Sequence, residues 1–347
     1  MSPASVKIIF NDDGSDTYTL GEKTVDLDNI LTTVSDVEGA LRSKGYETVR
    51  VPLRRREDLE RFTKEIRDPE AVIFNLCEGA FNRSSLEMHV AALLELHGAR
   101  FTGSGPLTLG LALDKGLTKD ILSRKGVPTP GYAVMTEASG KTVDLEYPLI
   151  VKPLREDASI GIDSGAVVEN PSELKERVGH ILSTYAQPAM VEEYVDGREF
   201  NIAVMGNGNS RRALPPSEIL FVDFPEGKPK ICCYEAKWVE DSPFYRKTVP
   251  CCPAEIPEKL KDQLQAVALK AYGMMGCRDY ARVDMRVGKD GKAKVLEVNP
   301  NPDISSDAGF ARAAKAAGLD YPDLICAIVD AAVSRYVQQA GAIQVKT

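Results

Sequence analysis

Histidine is nearly missing from this chain of 347 residues: there are three, His89, His97 and His180, too few and too scattered to furnish a zinc site. His89 falls on a stretch with an apolar face at helical spacing and reads as a structural histidine. Long apolar runs are missing too, so nothing reaches membrane-spanning length. Met1–Phe10 has no basic start, no long apolar stretch and no small-residue cleavage site, and the cytoplasm is the expected compartment. The seven cysteines include two adjacent pairs, Cys232-Cys233 and Cys251-Cys252, but no C-x-x-C and no framework spacing, which reads as reduced thiols. An excess of basic residues is also lacking. With 43 Lys and Arg against 51 Asp and Glu the net charge is −8, which argues against sequence-independent nucleic-acid binding. The one basic run, Arg54-Arg55-Arg56, is followed at once by Glu57 and Asp58 and reads as a solvated helix start. Finally, Gly103, Gly105 and Gly110 do not have G-x-G-x-x-G spacing, and neither a Walker motif nor a G-x-S-x-G elbow occurs.

What is present is a globular balance, 43% hydrophobic and 27% charged with no low-complexity tract, at a length that suits two or three domains. Val6–Phe10, Thr48–Pro52 and Val72–Leu76 read as strands, and Ser35–Lys44, closed by Gly45, reads as a helix. A further helix with apolar Leu86, Val90, Leu93 and Leu94 is expected to be capped by Ser84 or Ser85. Alternating strand and helix predicts a parallel α/β layer over residues 1–109. A second unit, 110–195, opens with a helix at Asp114–Arg124 stopped by Gly126 and Pro128. It continues through strands at Tyr147–Pro153, Gly165–Glu169 and Ala189–Tyr194, with a helix at Ser172–Leu182. The third, 196–347, has short strands and turns to Val249, a long helix at Glu258–Tyr272, a hairpin around Lys289-Asp290-Gly291-Lys292 and two final helices, from about Asp307 to Ala317 and Pro322 to Tyr336.

A set of charged and small residues is strung along the chain in a telling order: Asn75-Leu76-Cys77-Glu78-Gly79, Phe101 to Gly105, Asp114-Lys115, Ile150 to Pro153, Arg155 to Gly161, Val191 to Tyr194, Arg198-Glu199-Phe200, Glu235-Ala236-Lys237, Arg282-Val283-Asp284 and Leu296 to Asn299. Taken together, from about Val72 to the end, these elements resemble the D-alanine–D-alanine ligase branch of the ATP-grasp superfamily. The resemblance implies an α/β chain in three domains, α+β in the ATP-binding part, that uses ATP and Mg²⁺ or Mn²⁺ to join a small-molecule carboxylate to an amine. The family's route is an acyl phosphate attacked by the amine, with ADP and phosphate released. Its habit of dimerising implies a homodimer; nucleic acid and membrane are not expected partners.

Elementary chemistry supports several of the implied roles. A triphosphate needs cations on separate elements, which Lys115 and Lys152 provide, and a lysine inside the apolar run Pro148 to Val151 is costly unless it meets an anion. Arg155 to Gly161 resembles the family's phosphate-covering loop, with Ser159 as its surviving serine, and Lys237 is a further nucleotide contact. Glu192 matches the acceptor from the adenine amine, Val195 the backbone contact to the base and Glu199 the ribose acceptor, while Glu193 points to the other side of its strand. Asp284 and Glu297 lie across a hairpin with Asn299 on the face of Glu297, a set of hard oxygen ligands for a partly hydrated Mg²⁺. Arg282, on the face of Asp284, matches the group that stabilises the oxyanion.

The substrate end departs from the family. Ala158 stands for one of two loop serines and Trp238 for its tyrosine partner, so this polar link is expected to be lost. Glu78 stands near the place of a loop histidine, Asp303 where a glycine supplies an N–H, and Ala308 where a serine binds the acceptor's carboxylate. Asp307 either caps the last-but-one helix or joins Asp303 in binding substrate. The segment Phe10–Leu31 lacks the family's recognisable glutamate motif. These changes predict a carboxylate–amine ligase of other specificity. A true D-alanine–D-alanine ligase, an ATP-grasp kinase and a silent nucleotide-binding protein are the alternatives.

Overall fold

The computed structural model describes residues 5–12, 17–20, 23–26, 29–138, 143–239 and 241–344. The first stretch forms β1 (Val6–Asn11), β2 (Thr17–Leu20), β3 (Lys23–Asp26), α1 (Asn29–Ser43), β4 (Thr48–Leu53), α2 (Leu59–Ile66), β5 (Val72–Asn75), α3 (Glu87–Leu96), β6 (Arg100–Phe101) and α4 (Pro106–Leu113). Strands β4-β1-β5-β6 pair in parallel, and β2 and β3 make a separate antiparallel ribbon. A parallel sheet is covered on both faces, which is why Val72-Ile73-Phe74 is an unbroken apolar run. Of the divergent segment 10–31, residues 13–16, 21–22 and 27–28 lie outside the described residues. Ser84 and Ser85 do not cap α3: they form a 3-10 turn with Leu86, and the N-cap position is Leu86, without a side-chain bond.

The chain continues through α5 (Lys115–Arg124), β7 (Tyr132–Met135), β8 (Leu149–Pro153), β9 (Val167–Val168), α6 (Pro171–Tyr185) and β10 (Ala189–Glu193). These strands form an antiparallel sheet in the order β7-β10-β8-β9. Period-two alternation buries Leu149 and Val151 against Leu174, Val178 and Ile181 of α6, leaving Ile150 and Lys152 on the opposite face. Helix α5 is capped by Asp114, whose side chain accepts from the Leu117 N–H at 3.1 Å. Its Leu122, with Val127 beyond it, packs into the core of the third sheet, so the packing here crosses the expected second-unit boundary.

That third sheet uses β11 (Gly197–Met205), β12 (Arg212–Ala213) and β13 (Ser217–Phe221). After α7 (Tyr234–Trp238) and α8 (Pro243–Lys247) come β14 (Thr248–Cys251), α9 (Glu258–Met274), β15 (Tyr280–Gly288), β16 (Ala293–Asn299), α10 (Gly309–Ala316) and α11 (Tyr321–Gln344). The order is β14-β13-β11-β15-β16, with β12 on β11. Where strands and turns were expected before Val249, α7 and α8 are short helices; Pro243 sits in the first turn of α8 and Ser242 caps it. Val34, Val37 and Leu41 of α1 meet Leu324, Ile325 and Ile328 of α11, so the C-terminal helix covers the first sheet. Burying each such side chain is worth about 1.5–3 kcal/mol. The buried Asp279 also ties the sheets together: it receives Arg335 at 2.9 Å, the Gly103 N–H at 2.9 Å and Asn207 at 2.7 Å.

Candidate active site

Between the second and third sheets lies a cavity of about 90 Å³. Lys115 opens α5 beside it, Lys152 reaches it from β8, and Lys237 from α7. Glu199, Asp284 and Glu297 enter from β11, β15 and β16, and Ser159 from the covering loop. Residues far apart in sequence, named above on separate grounds, thus line one space.

The three lysines are held differently. Lys152 is 8% exposed and lies 2.7 Å from Glu192. The anion that its apolar setting demanded is therefore a residue of the neighbouring strand β10. Glu192 is itself buried and takes a second cation, Lys119, at 2.5 Å. Both lysines are thus ion-paired to one buried carboxylate. Burial works against the Glu192 charge, but Lys119 and Lys152 outweigh it and hold the carboxyl below its ordinary range. For Lys119 burial wins: helped by Lys152, it pulls the ammonium down to about 8 against the attraction of Glu192. Glu192 does not line the cavity, which sets it apart from the adenine-facing position expected for it. Lys119 escaped the sequence reading, although it lies one helical turn after Lys115 on the same face. Lys115 is buried, lies 3.3 Å from Asp157 and also donates to the Glu156 carbonyl. Burial lowers its affinity for a proton, but Asp157 and Glu297 raise it further than burial lowers it. Lys237 makes no hydrogen bond or ion pair with any of the described residues.

Asp284 and Glu297 lie on the two strands of the expected hairpin, and a bulge between Asp284 and Met285 sets them directly opposite each other across β15 and β16. Asp284 receives both Nε and Nη2 of Arg282 at 2.8 Å and the amide of Asn201, unforeseen in the sequence, at 2.7 Å. Burial resists ionisation of Glu297, yet Lys115, Lys152, Lys237 and Arg282 hold its carboxyl down at about 2. Asn299 is not on the cavity wall; its side-chain oxygen accepts from the Asn301 N–H at 3.0 Å. Among the described residues no group of three or more His, Cys, Asp or Glu could hold a metal alone. Two hard carboxylates would suit a divalent cation that drew its remaining oxygen ligands from elsewhere.

Over this space folds the covering loop. Ala158 and Ser159 both have positive φ, 54° and 62°, a costly conformation for residues with a Cβ. A Cβ on Gly161 would meet the Pro153 ring at 2.5 Å, so only glycine fits there. The expected loss of the loop's polar link is corrected by the geometry. The Trp238 indole donates to the Ala158 carbonyl at 2.9 Å, and the Ser159 hydroxyl donates to the Cys232 carbonyl at 2.8 Å. An indole needs only an acceptor, and the backbone supplies it.

At the adjoining end Glu78 is open to water, yet protein encloses it deeply enough that burial, with Asp303 and Asp157, pushes its carboxyl up to about 7. Glu87, unnamed in the sequence reading, accepts from Asn301 at 2.9 Å and is pushed up to about 8 by burial, Asp157 and Glu78, against the pull of Asn301. Asp303 and Asp307 are exposed. Neither side chain caps α10, whose N-cap is Ala308; Asp303 instead accepts the Ser305 N–H at 2.9 Å and hydroxyl at 2.6 Å.

Lysines from two helices and one strand, an opposed carboxylate pair and a loop over them are the groups that a phosphate-bearing small molecule would require. Residues 121–330 match the family described as D-ala D-ala ligase C-terminus. The chain is 38% identical to "Uncharacterized protein y4sG" of Sinorhizobium fredii over 80% of each chain, and 35% identical to a D-alanine–D-alanine ligase of Marinomonas over 83% of this chain and 86% of the other. Its fold matches a Bacillus anthracis D-alanine–D-alanine ligase solved with ATP, at TM-score 0.74 and 23% identity over 97% and 99% of the two chains. It also matches the VanG D-Ala:D-Ser ligase of Enterococcus faecalis, at TM-score 0.73 and 18% identity over 95% and 99%. The fold is therefore ATP-grasp, and the chain belongs to the D-alanine–D-alanine ligase family of enzymes that form carbon–nitrogen bonds at the expense of ATP. No helix among the described residues is long and apolar enough to cross a membrane.

Proposed function

We propose that this ligase joins a small amino-acid-like carboxylate to an amine whose neighbouring group is cationic or hydroxylated, rather than to D-alanine. The observation that carries the ligase chemistry is the convergence of Lys115, Lys152 and Lys237 with Asp284 and Glu297 on one cavity. ATP supplies the phosphoryl group that activates the carboxylate. The lysines and the backbone N–H of Ser159 hold phosphate oxygens, Val195 and Glu199 hold base and sugar, and Glu192 acts from below by fixing Lys152. Asp284 and Glu297 would hold Mg²⁺ or Mn²⁺, which would neutralise phosphate charge; Asn299 would join them only if its side chain turned toward the cavity. Arg282, tethered to Asp284 and close enough to Asp303 and Glu78 to act on both ends, stabilises the oxyanion formed when the amine attacks.

The acceptor reading rests on charge: by the family resemblance Asp303 and Asp307 stand where an anionic group would lie, both are exposed, and Ala308 has no hydroxyl to offer it. We further assign three domains at 1–109, 110–195 and 196–347, a homodimer and a cytoplasmic setting, on the family resemblance and the sequence. The test is an ADP-release screen over amino acids, dipeptides and other small amines. Lys152→Ala or Glu297→Ala should lower turnover about a hundredfold or more while the protein stays folded. Unchanged turnover in either variant refutes the site. The curated relatives' names favour a second reading, a true D-alanine–D-alanine ligase. It prevails if D-alanine alone gives dipeptide at a higher kcat/KM than every other amine.

A further inference from the structure

Arg282, Asp284 and Arg286 alternate along β15, so all three leave the same face of the strand, the face of the cavity. Arg286 stands directly opposite Glu199 on β11, a position in which side chains of neighbouring strands meet. Its side chain is 4% exposed. Nε and Nη2 donate to the same oxygen of Glu199, Oε2, at 3.1 and 2.9 Å. Nη1 donates to the Val195 carbonyl at 2.9 Å, and Nη2 also reaches the Lys230 carbonyl. The rings of Tyr194 and Phe221 lie 5.2 and 5.9 Å from its guanidinium carbon. One guanidinium therefore fixes strand β11, the turn before it and the segment that leads into α7.

Two consequences follow for Glu199. Both bonds from Arg286 go to Oε2, which sets the plane of the carboxylate and leaves Oε1 for a ligand in the cavity that Glu199 lines. The guanidinium also balances the negative charge of Glu199, which would otherwise stand close to a polyanion.

We propose that Arg286 is a positioning residue for nucleotide selection, aiming Glu199 at the sugar hydroxyls and fixing the backbone at Val195 beside the base. The inference rests on the nucleotide reading of the cavity. A lysine would keep the charge but not the fork, and a methionine neither.

Calorimetric titration of the full chain with ATP, 2′-deoxy-ATP and 3′-deoxy-ATP in the presence of Mg²⁺ tests it. The unmodified protein is expected to bind ATP about tenfold or more tightly than one of the deoxy forms, the size of a lost hydrogen bond to a charged group. Arg286→Met should bring that ratio to within about twofold of unity, and Arg286→Lys should lower it to about threefold. Should the methionine variant not fold, Arg286→Lys and Glu199→Gln carry the test, since both must lower the same ratio. A purely structural arginine would weaken all three nucleotides by one common factor and leave the ratio intact; that result overturns the proposal. Equal binding of ATP and both deoxy forms by the unmodified protein removes the sugar assignment of Glu199 itself, and the inference falls with it. The two failures are distinguished by which protein shows them.

Discussion

Replacing Glu192 by glutamine probes the buried Lys119–Glu192–Lys152 cluster. The substitution keeps the shape and removes the only carboxylate among the described residues within ion-pair distance of either lysine. Breaking a buried pair leaves an uncompensated charge and costs about 3–5 kcal/mol. Two cations lose their partner here, which pushes toward the upper end. Against this, Lys119 keeps its bond to the Thr129 hydroxyl at 2.8 Å, and an ammonium already held down at about 8 sheds its proton readily. A loss of about 3 kcal/mol at neutral pH is the resulting expectation. Urea denaturation of Glu192→Gln reads it directly, and Lys119→Met in the same chain should recover about half, because one amide then faces one lysine. If the variant loses less than about 1 kcal/mol while ATP binding weakens strongly, Glu192 is a base-reading group and the cluster argument is wrong.

Two further outcomes are expected. Proteolysis within 155–161 and 235–248 should slow when an ATP analogue and Mg²⁺ are added, since a cavity of about 90 Å³ is smaller than typical small-molecule sites of roughly 300–1,000 Å³ and the covering segments must open and reclose around a nucleotide; equal cleavage with and without ligand counts against a lid. Glu87→Gln should gain stability relative to the parent as pH rises from about 5 to about 8. The Glu87 carboxyl is raised from 4.5 to about 8 in the fold, so across that window the folded state holds a proton that the unfolded chain has released, and stability falls with pH only while the acid is present. A stability difference that does not change with pH refutes the assignment.

The hairpin carrying Asp284 and Glu297 was legible because alternation and a Lys-Asp-Gly-Lys turn are local signals, but the turn alone would set Asp284 opposite Leu296, and the bulge at Asp284/Met285 that brings Glu297 across from it leaves no such signal. Lys152 was legible for a different reason: a charge inside an apolar strand requires an anion. Which anion was not legible, because Glu192 becomes its neighbour only through the pairing of β10 with β8. Lys119 stayed hidden for the same cause. The Trp238 link was misjudged because side-chain identities alone were weighed, and a backbone carbonyl leaves no trace in residue type. Arg286 was visible as the third member of Arg-x-Asp-x-Arg, but its role needed Glu199 placed across from it.

Charge pairing around the cavity also accounts for how a closed lid can reopen for a polyanion. Lys152 and Arg286 are matched by Glu192 and Glu199, which belong to strands β10 and β11 and stay where the sheets put them. Lys115 is different, since Asp157 and the Glu156 carbonyl both sit on the covering loop. The loop thus carries its own anion to the lysine that phosphate would claim, and holding both at once sets like charges side by side. A phosphate that displaces Asp157 removes one tie of the loop but leaves the Trp238 and Ser159 bonds, which are neutral and indifferent to it. On this reading, entry would require those two bonds to break, and reclosure would restore them with the phosphate, and no longer Asp157, against Lys115. This exchange would keep the buried lysine compensated in both closed states, so that closing the loop does not strand a cation in a dry site.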